Sequence, residues 1–174
     1  MNPRDWPFLK MPLNMPKKCR AGDILHTRKA RITDVEAMHR LITHYAEQDL
    51  MLARSRSMLY ESLREFTIME HQGKVVGSGS LHIIWEDLAE IRALTVDPGM
   101  QRKGIGRTLV NSFLQEAREL HLPRVFALTY QSEFFIKCGF HLVEKEALPH
   151  KVWKECINCP KFPNCEEEAV VIEL

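Results

Sequence analysis

The sequence predicts a single α/β domain of the α+β type, with a mixed, mostly antiparallel sheet flanked by helices. The chain has 174 residues, 45% of them hydrophobic, which suits one domain with its own core. Strand-like and helix-like periodicities alternate in the order β-α-α-β-β-β-α-β-α-β-β. Three consecutive strand patterns carry hairpin and turn signals, so much of the sheet is expected to be antiparallel.

The first third of the chain supplies a leader, a strand and two helices. Residues 1–22 contain a Pro every four or five positions, which prevents a regular helix, so the domain is expected to occupy residues 23–174. A strand is predicted within residues 24–32. Thr33 and Glu36 have the spacing of a capping box and predict that a helix follows. A short second helix is predicted within residues 57–66. The apolar face of the first helix comprises Val35, Met38, Leu41, Ile42 and Tyr45.

The remaining elements surround a long amphipathic helix. Residues 66–70 and 74–85 are predicted strands joined at a His-Gln-Gly turn, and residues 88–96 form a third strand that ends at Asp97-Pro98-Gly99. After the long helix, strands are predicted at 124–130, 141–146 and 169–174, with a short helix before Gly139 and a Cys/Pro-rich loop at 148–166. The apolar positions of the long helix are Ile105, Leu109, Phe113, Ala117 and Leu120.

Composition limits the classes of function. The 24 basic and 23 acidic side chains give a formal net charge of +1, which argues against general binding to nucleic acid. The longest apolar runs, such as Val125–Leu128, are far shorter than the roughly 20 residues that cross a bilayer. No continuous apolar segment of a secretory signal is present near the start, so a cytoplasmic protein is expected. A homodimer is a possible assembly on which the sequence is silent.

A glycine-containing loop carries the clearest chemical signal. The segment 101–107 lies between a predicted strand and the long helix and comprises Gln101, Arg102, Lys103, Gly104, Ile105, Gly106 and Arg107. Two glycines allow successive backbone N–H groups to converge, and the helix N-terminus adds a positive partial charge, so the loop would cradle an anion such as a polyphosphate. The alternative is an ordinary Gly-rich loop with solvated charges. The spacing fits neither a P-loop nor a dinucleotide-binding fingerprint.

At this point the chain resembles the GNAT acetyltransferase superfamily. QRKGIG matches the Q/R-x-x-G-x-G/A loop of that superfamily, between ALTVDP and a helix, and FFIKCGF follows later. The resemblance covers about residues 24–143 and implies acetyl-CoA as the acetyl donor. It implies that backbone N–H groups of residues 102–107 hold the CoA pyrophosphate and that the strand edge at Leu94, Thr95 and Val96 pairs with the pantetheine arm. It also implies a sheet splayed between its fourth and fifth strands.

Three further segments resemble the acetyltransferase domain of the N-acetylglutamate synthase family. They are DLMLARS, LAEIRALTVDP and RVFALTYQSEFFIKCGF. The resemblance implies L-glutamate as acceptor, in the first step of arginine biosynthesis, with Leu52 and Arg54 contacting it and Leu128 and Thr129 near the thioester. An Arg and a Ser that complete the family's amino-acid site near the last strand are replaced here by CPKFPNCEEE. Arg92 and Lys151 are candidate substitutes for the second contact.

A general base is required because an α-amine near pH 7 is mostly protonated and an ammonium cannot attack a thioester. Glu90 matches the strand carboxylate of the family and is the candidate, acting directly or through a water. The alternative is a structural ion pair with Arg92 on the same strand face. Many GNAT enzymes have a Tyr that acts as the general acid where this chain has Phe134-Phe135. Thr129 and Tyr130 are therefore the candidates for protonating the departing CoA thiolate. Each of these two is equally a structural hydrogen-bonding group. Other acceptors, a polyamine or a protein N-terminus, and a non-catalytic CoA-binding or metal-sensing module remain alternatives.

The Cys/Pro-rich loop is a candidate metal site. Cys156, Cys159 and Cys165 have C-x2-C-x5-C spacing, and His150 is a candidate fourth ligand for a structural zinc. The alternative is a set of reduced thiols in a Pro-stiffened loop, since no second half-site is present.

Overall fold

Helices and strands follow the sequence periodicities, and the predicted order of elements is confirmed. The computed structural model of the chain describes residues 25–149, 161 and 165–174. Its helices and strands are β1 (His26–Lys29), α1 (Val35–Ala46), α2 (Arg56–Glu61), β2 (Phe66–His71), β3 (Lys74–Trp85), β4 (Leu88–Val96), α3 (Ile105–Glu119), β5 (Arg124–Thr129), α4 (Ser132–Ile136), β6 (His141–Val143) and β7 (Glu168–Glu173). Short 3₁₀ helices occupy Ile32–Asp34, Leu63–Glu65, Pro98–Met100 and Lys145–Ala147.

The strands of the described part of the chain form one sheet in the order β1-β2-β3-β4-β5-β7-β6. Every neighbouring pair is antiparallel except β4 and β5, which are parallel. The β2–β3 turn places Gln72 and Gly73 at positive φ, as a type I′ hairpin turn requires. Strands β4 and β5 pair at Ala89–Val125 and Glu90–Phe126 and then diverge, so the predicted splay is confirmed.

Helices cover both faces of the sheet. Helix α3 packs on one face against alternate residues of the central strands, while α1 and α2 pack on the other. In β4 this alternation directs Ala89 and Ile91 towards α3, so Glu90 and Arg92 lie on the opposite face, which α1 shares. Eight of the side chains that periodicity predicts for the core faces of α1 and α3 are buried: Val35, Met38, Leu41, Ile42, Ile105, Leu109, Phe113 and Ala117. Val110 and Leu114 of α3, which were not predicted, are buried as well.

Two predicted details of the helices are wrong. Asp34, rather than Thr33 with Glu36, organises the start of α1: its carboxylate accepts hydrogen bonds from the Arg31 backbone N–H at 2.7 Å and from the guanidinium of Arg28 at 2.6 and 3.0 Å. These contacts, with Arg28 foremost, lower the pKa of the Asp34 carboxyl below its usual range despite burial. The predicted core residue Leu120 is 49% exposed because α3 ends at Glu119.

The predicted limits of the domain are only partly covered by the described residues. The leader at 1–22 lies outside them, as does most of the Cys/Pro-rich loop at 148–166. Across the described ranges, none of the helices combines the length and apolar character needed to cross a bilayer.

Candidate active site

A cavity of about 680 Å³ is lined by the diverging ends of β4 and β5, and it gathers most of the site residues predicted from the sequence. Those residues come from four separate parts of the chain. They are Leu52, Arg54, Glu90, Arg92, Leu94, Thr95, Val96, Gln101, Arg102, Gly104, Ile105, Gly106, Arg107, Leu128, Thr129 and Tyr130. Lys103 lies outside this lining, and its Nζ contacts the Met100 Sδ at 3.3 Å.

Strand β4 presents an irregular edge to the cavity. Its register against β3 pairs Arg92 with Ser80 and Thr95 with Ser78. The two β4 residues are three positions apart and their partners on β3 are two positions apart, so β4 contains one extra residue here. This β-bulge contains Ala93, whose φ of +50° costs a non-glycine residue about 1–2 kcal/mol. Because β5 has diverged by this point, the backbone of residues 93–96 is available to pair with an extended ligand.

Backbone geometry makes the loop at 101–107 a suitable anion site. Arg102 and Gly104 adopt left-handed conformations, with φ of +63° and +80°. The loop leads directly into the first turn of α3, whose N–H groups have no partner within the helix. These N–H groups and the helix dipole favour a negatively charged group at the cavity wall.

The two glycines of the loop serve different purposes. Gly104 has nothing within 4 Å of its missing Cβ and is needed for its positive φ. A Cβ on Gly106 would lie 3.1 Å from Cζ and 3.3 Å from Cε2 of Phe134, so this glycine lets the Phe134 ring pack against α3. Arg107 donates to the Lys137 backbone carbonyl at 2.6 Å and thereby joins α3 to the end of α4.

Replacing Gly106 with Val is expected to weaken CoA binding by roughly 10-fold, because the added side chain displaces the Phe134 ring, which lines the cavity, and disturbs the first turn of α3. Calorimetric titration of CoA into the folded variant measures this loss. A Gly106→Val and Phe134→Ala double variant should regain affinity if the ring is responsible. Unchanged CoA affinity in folded Gly106→Val would contradict the assignment of this loop.

The opposite wall of the cavity comes from the segment between α1 and α2. Leu52 and Arg54 both lie there, and Tyr45 at the end of α1 connects this wall to the glycine loop. The Tyr45 hydroxyl donates to the Val96 carbonyl at 2.5 Å and accepts from the Gln101 side chain at 2.8 Å. From the sequence, Tyr45 was expected only as part of the apolar face of α1.

Glu90 and Arg92 form the ion pair that the sequence left as one alternative. The Arg92 Nε donates to the Glu90 Oε2 at 2.5 Å, and the Glu90 side chain is 11% exposed. Both side chains line the cavity. The pair places the Glu90 carboxylate beside the cavity, so an ion-pair role and a role as proton acceptor are compatible.

Thr129 and Tyr130 lie where β5 ends. The Thr129 hydroxyl accepts a hydrogen bond from the Gln131 backbone N–H at 2.9 Å, and the Tyr130 hydroxyl accepts one from the Lys161 Nζ at 3.1 Å. In both cases the oxygen accepts, so the hydroxyl proton remains available for donation.

Glu167 lines the cavity, although the sequence does not predict it as a site residue. It precedes β7, and burial raises the pKa of its carboxyl, while a contact from the Cys165 thiol and the charges of Lys145 and Lys161 act in the opposite direction. Three consecutive Glu residues follow Cys165, and the sequence alone does not show which of them faces the cavity. Only the fold distinguishes Glu167 from its two neighbours.

Three of the four predicted metal ligands lie outside the described residues. His150, Cys156 and Cys159 lie outside them, and Cys165 lies within, with its Sγ 3.6 Å from the Glu167 Oε2. Within residues 25–149, 161 and 165–174, no group of three or more His, Cys, Asp or Glu side chains is arranged to hold a metal ion. The zinc site therefore stays a prediction.

Comparison with known proteins identifies the family. The profile of the acetyltransferase (GNAT) family matches residues 32–140. An amino-acid acetyltransferase of Mycobacterium tuberculosis is 43% identical over 143 residues, which are 80% of this chain and 79% of the relative. A crystal structure of an M. tuberculosis protein in complex with CoA has a TM-score of 0.76 and 37% identity, covering 86% of this chain and 99% of that one.

A larger enzyme contains the same fold as one of its parts. The structure of N-acetylglutamate synthase from Neisseria gonorrhoeae, complexed with coenzyme A and N-acetyl-glutamate, has a TM-score of 0.79 and 29% identity. The match covers 87% of this chain but 35% of the gonococcal chain. The resemblance deduced from the glycine loop is confirmed, and the chain belongs to the acetyltransferase (GNAT) family as an acetyl-CoA-dependent N-acetyltransferase.

Proposed function

We propose that this protein transfers the acetyl group of acetyl-CoA to the α-amine of L-glutamate, the first step of arginine biosynthesis. One observation carries the proposal: a single cavity brings together an anion-binding loop, an open strand edge, a buried carboxylate and an arginine. Relatives described as amino-acid acetyltransferases and as N-acetylglutamate synthase support an amino acid as the acceptor.

The donor half of the cavity fits CoA. The backbone N–H groups of residues 102–107 would hold the pyrophosphate, with Arg102 adding a cation at the cavity wall. The strand edge at Leu94, Thr95 and Val96 would pair with the amides of the pantetheine arm, and the Val96 carbonyl there also accepts the hydrogen bond from Tyr45. The Thr95 side chain is turned away, because its hydroxyl contacts the Ser78 hydroxyl at 2.9 Å, so its contribution would come from the backbone.

The acceptor half would be formed by Leu52, Arg54, Arg92 and Leu128. Arg54 suits a carboxylate because its planar guanidinium can donate two parallel hydrogen bonds. Arg92 is bound to Glu90, so its contribution would be to hold that carboxylate in place. Leu52 and Leu128, which both line the cavity, would supply apolar contacts to the acceptor's methylene groups.

In the reaction the amine of the acceptor forms an amide bond to the acetyl carbon while the carbon–sulfur bond of the thioester breaks. Glu90 would accept the proton that the amine must lose, directly or through a water. Tyr130 or Thr129 would donate a proton to the departing thiolate. Both substrates occupy one cavity, so transfer would be direct and would need no acyl-enzyme.

A comparison of acceptors tests the proposal. Purified protein with acetyl-CoA should release thiol with L-glutamate at a kcat/KM at least 10-fold above that with L-lysine, spermidine or a peptide amine, since charged pairs discriminate by about that factor. Equal rates with all of these amines would refute L-glutamate as the preferred acceptor. The absence of release with every amine would favour a CoA-binding module without turnover.

A further inference from the structure

One side chain spans the junction between the β4 edge and the glycine loop. The Tyr45 hydroxyl, at the end of α1, donates to the Val96 backbone carbonyl at 2.5 Å and accepts from the Gln101 Nε2 at 2.8 Å. Val96 is the last residue of β4, and Gln101 is the first residue of the loop at 101–107. A single oxygen therefore bridges the two ends of the connection between the strand and the loop.

The turn within that connection is held by hydrogen bonds of its own. The Asp97 backbone N–H donates to the Val76 carbonyl at 2.8 Å, and the Asp97 carboxylate accepts from the Gly99 N–H at 2.9 Å. These contacts fix the turn to the neighbouring strand β3. The hydrogen bond from Gln101 to Tyr45 extends the same support to the start of the loop, where the backbone must enter the left-handed conformations of the anion site.

The two groups that Tyr45 joins lie beside different parts of the expected donor. The backbone of residues 94–96 would pair with the pantetheine arm, and the N–H groups of residues 102–107 would hold the pyrophosphate. A carbonyl oxygen has two lone pairs, so the Val96 carbonyl can accept from Tyr45 and from a ligand amide together. Because the two parts of CoA are covalently joined, both contacts form at once only when the strand edge and the loop have the matching spacing.

We propose that Tyr45 is a positioning residue for the acetyl donor, and that its hydroxyl sets the spacing between the β4 edge and the glycine loop at which CoA contacts both. Tyr45 lines the cavity, but this role is exercised through Val96 and Gln101. The inference rests on the donor half of the proposed function and does not depend on which amine accepts the acetyl group.

Calorimetric titration of the wild type and of Tyr45→Phe with three ligands tests this role. Tyr45→Phe keeps the ring and removes the oxygen that makes both hydrogen bonds. The ligands are CoA and its two fragments, pantetheine and adenosine 3′-phosphate 5′-diphosphate, with the weaker fragments measured by displacement of CoA. The affinity for CoA should fall by about 10-fold, because two hydrogen bonds are lost. The affinity for each fragment should change by less than about 2-fold, because a fragment occupies one subsite and is insensitive to the spacing between two.

Two further variants control the measurement. Gln101→Met removes the donor on the loop side and should also weaken CoA binding. The Tyr45→Phe and Gln101→Met double variant should bind CoA no more weakly than Tyr45→Phe alone, because both changes remove the same hydrogen bond. Tyr60→Phe is the matched control, since Tyr60 lies on α2, is 44% exposed and does not line the cavity, and its CoA affinity should equal that of the wild type.

Unchanged CoA affinity in Tyr45→Phe would overturn the proposal. An equal loss for CoA and for either fragment would overturn it too, because the hydroxyl would then shape one subsite and not the spacing of two. A wild-type protein that does not bind CoA would refute the donor half of the proposed function, and the role of Tyr45 would fall with it. The titrations need no acceptor, so a failure to acetylate L-glutamate would refute the proposed acceptor and leave their result standing.

Discussion

Replacing Glu90 with Gln is expected to lower kcat by about 100-fold or more, which is the usual contribution of a general base. The amide has nearly the same shape as the carboxylate but cannot accept the proton of the attacking amine. The affinity for acetyl-CoA should remain near its wild-type value, because the expected CoA contacts are backbone groups of the loop and of the β4 edge.

The pH dependence of Glu90→Gln provides an independent check. The α-amine of a free amino acid is mostly protonated at neutral pH, so the fraction that is already deprotonated rises as the pH is raised. The ratio of the wild-type kcat to the Glu90→Gln kcat should therefore decrease as the pH rises. A ratio that does not depend on pH would indicate that Glu90 acts only through its ion pair with Arg92.

Glu167 is the rival proton acceptor, because it is the second carboxyl group of the cavity wall among the lining residues. Its pKa is raised by burial, which would make the carboxylate a stronger base once ionised. If Glu167→Gln shows the 100-fold loss and Glu90→Gln does not, the base is Glu167. Melting temperatures of both variants exclude unfolding as the cause.

Element order was predictable because each helix and strand satisfies its own local periodicity. Strands β3 and β4 begin and end at the predicted residues, since both are bounded by turn residues such as Gly73 and Asp97-Pro98. The start of α1 was mispredicted because two spacings competed there. Asp34 prevails over Thr33 because it is also within reach of Arg28, a residue that periodicity assigns to another element.

The candidate site was predictable where its chemistry lies in the backbone or in a compact motif. The glycine loop and the β4 edge depend on turn and strand signals that are local in sequence. Tyr45 and Glu167 were not singled out as site residues because their roles depend on partners that the fold brings together. Tyr45 meets Val96 across 51 positions of the chain and Gln101 across 56.

Arg54→Ala is expected to raise the KM for L-glutamate by about 10- to 100-fold, since the loss of one charge-assisted pair costs about 1.5–3 kcal/mol. Arg54→Lys should recover little, because an ammonium cannot reproduce the planar fork that binds both oxygens of a carboxylate. The KM for acetyl-CoA should hardly change.

Arg56 offers the matched control for this variant. It lies two residues further on, but its guanidinium donates to the Glu36 carboxylate at 2.7 and 2.9 Å on the surface and does not line the cavity. Arg56→Ala should therefore leave the KM for L-glutamate unchanged, because an exposed ion pair contributes little and lies away from the acceptor. Equal KM values for Arg54→Ala and the wild type would remove Arg54 from the acceptor site, whereas equal losses in Arg54→Ala and Arg56→Ala would show that the α1–α2 segment as a whole, and not one guanidinium, positions the acceptor.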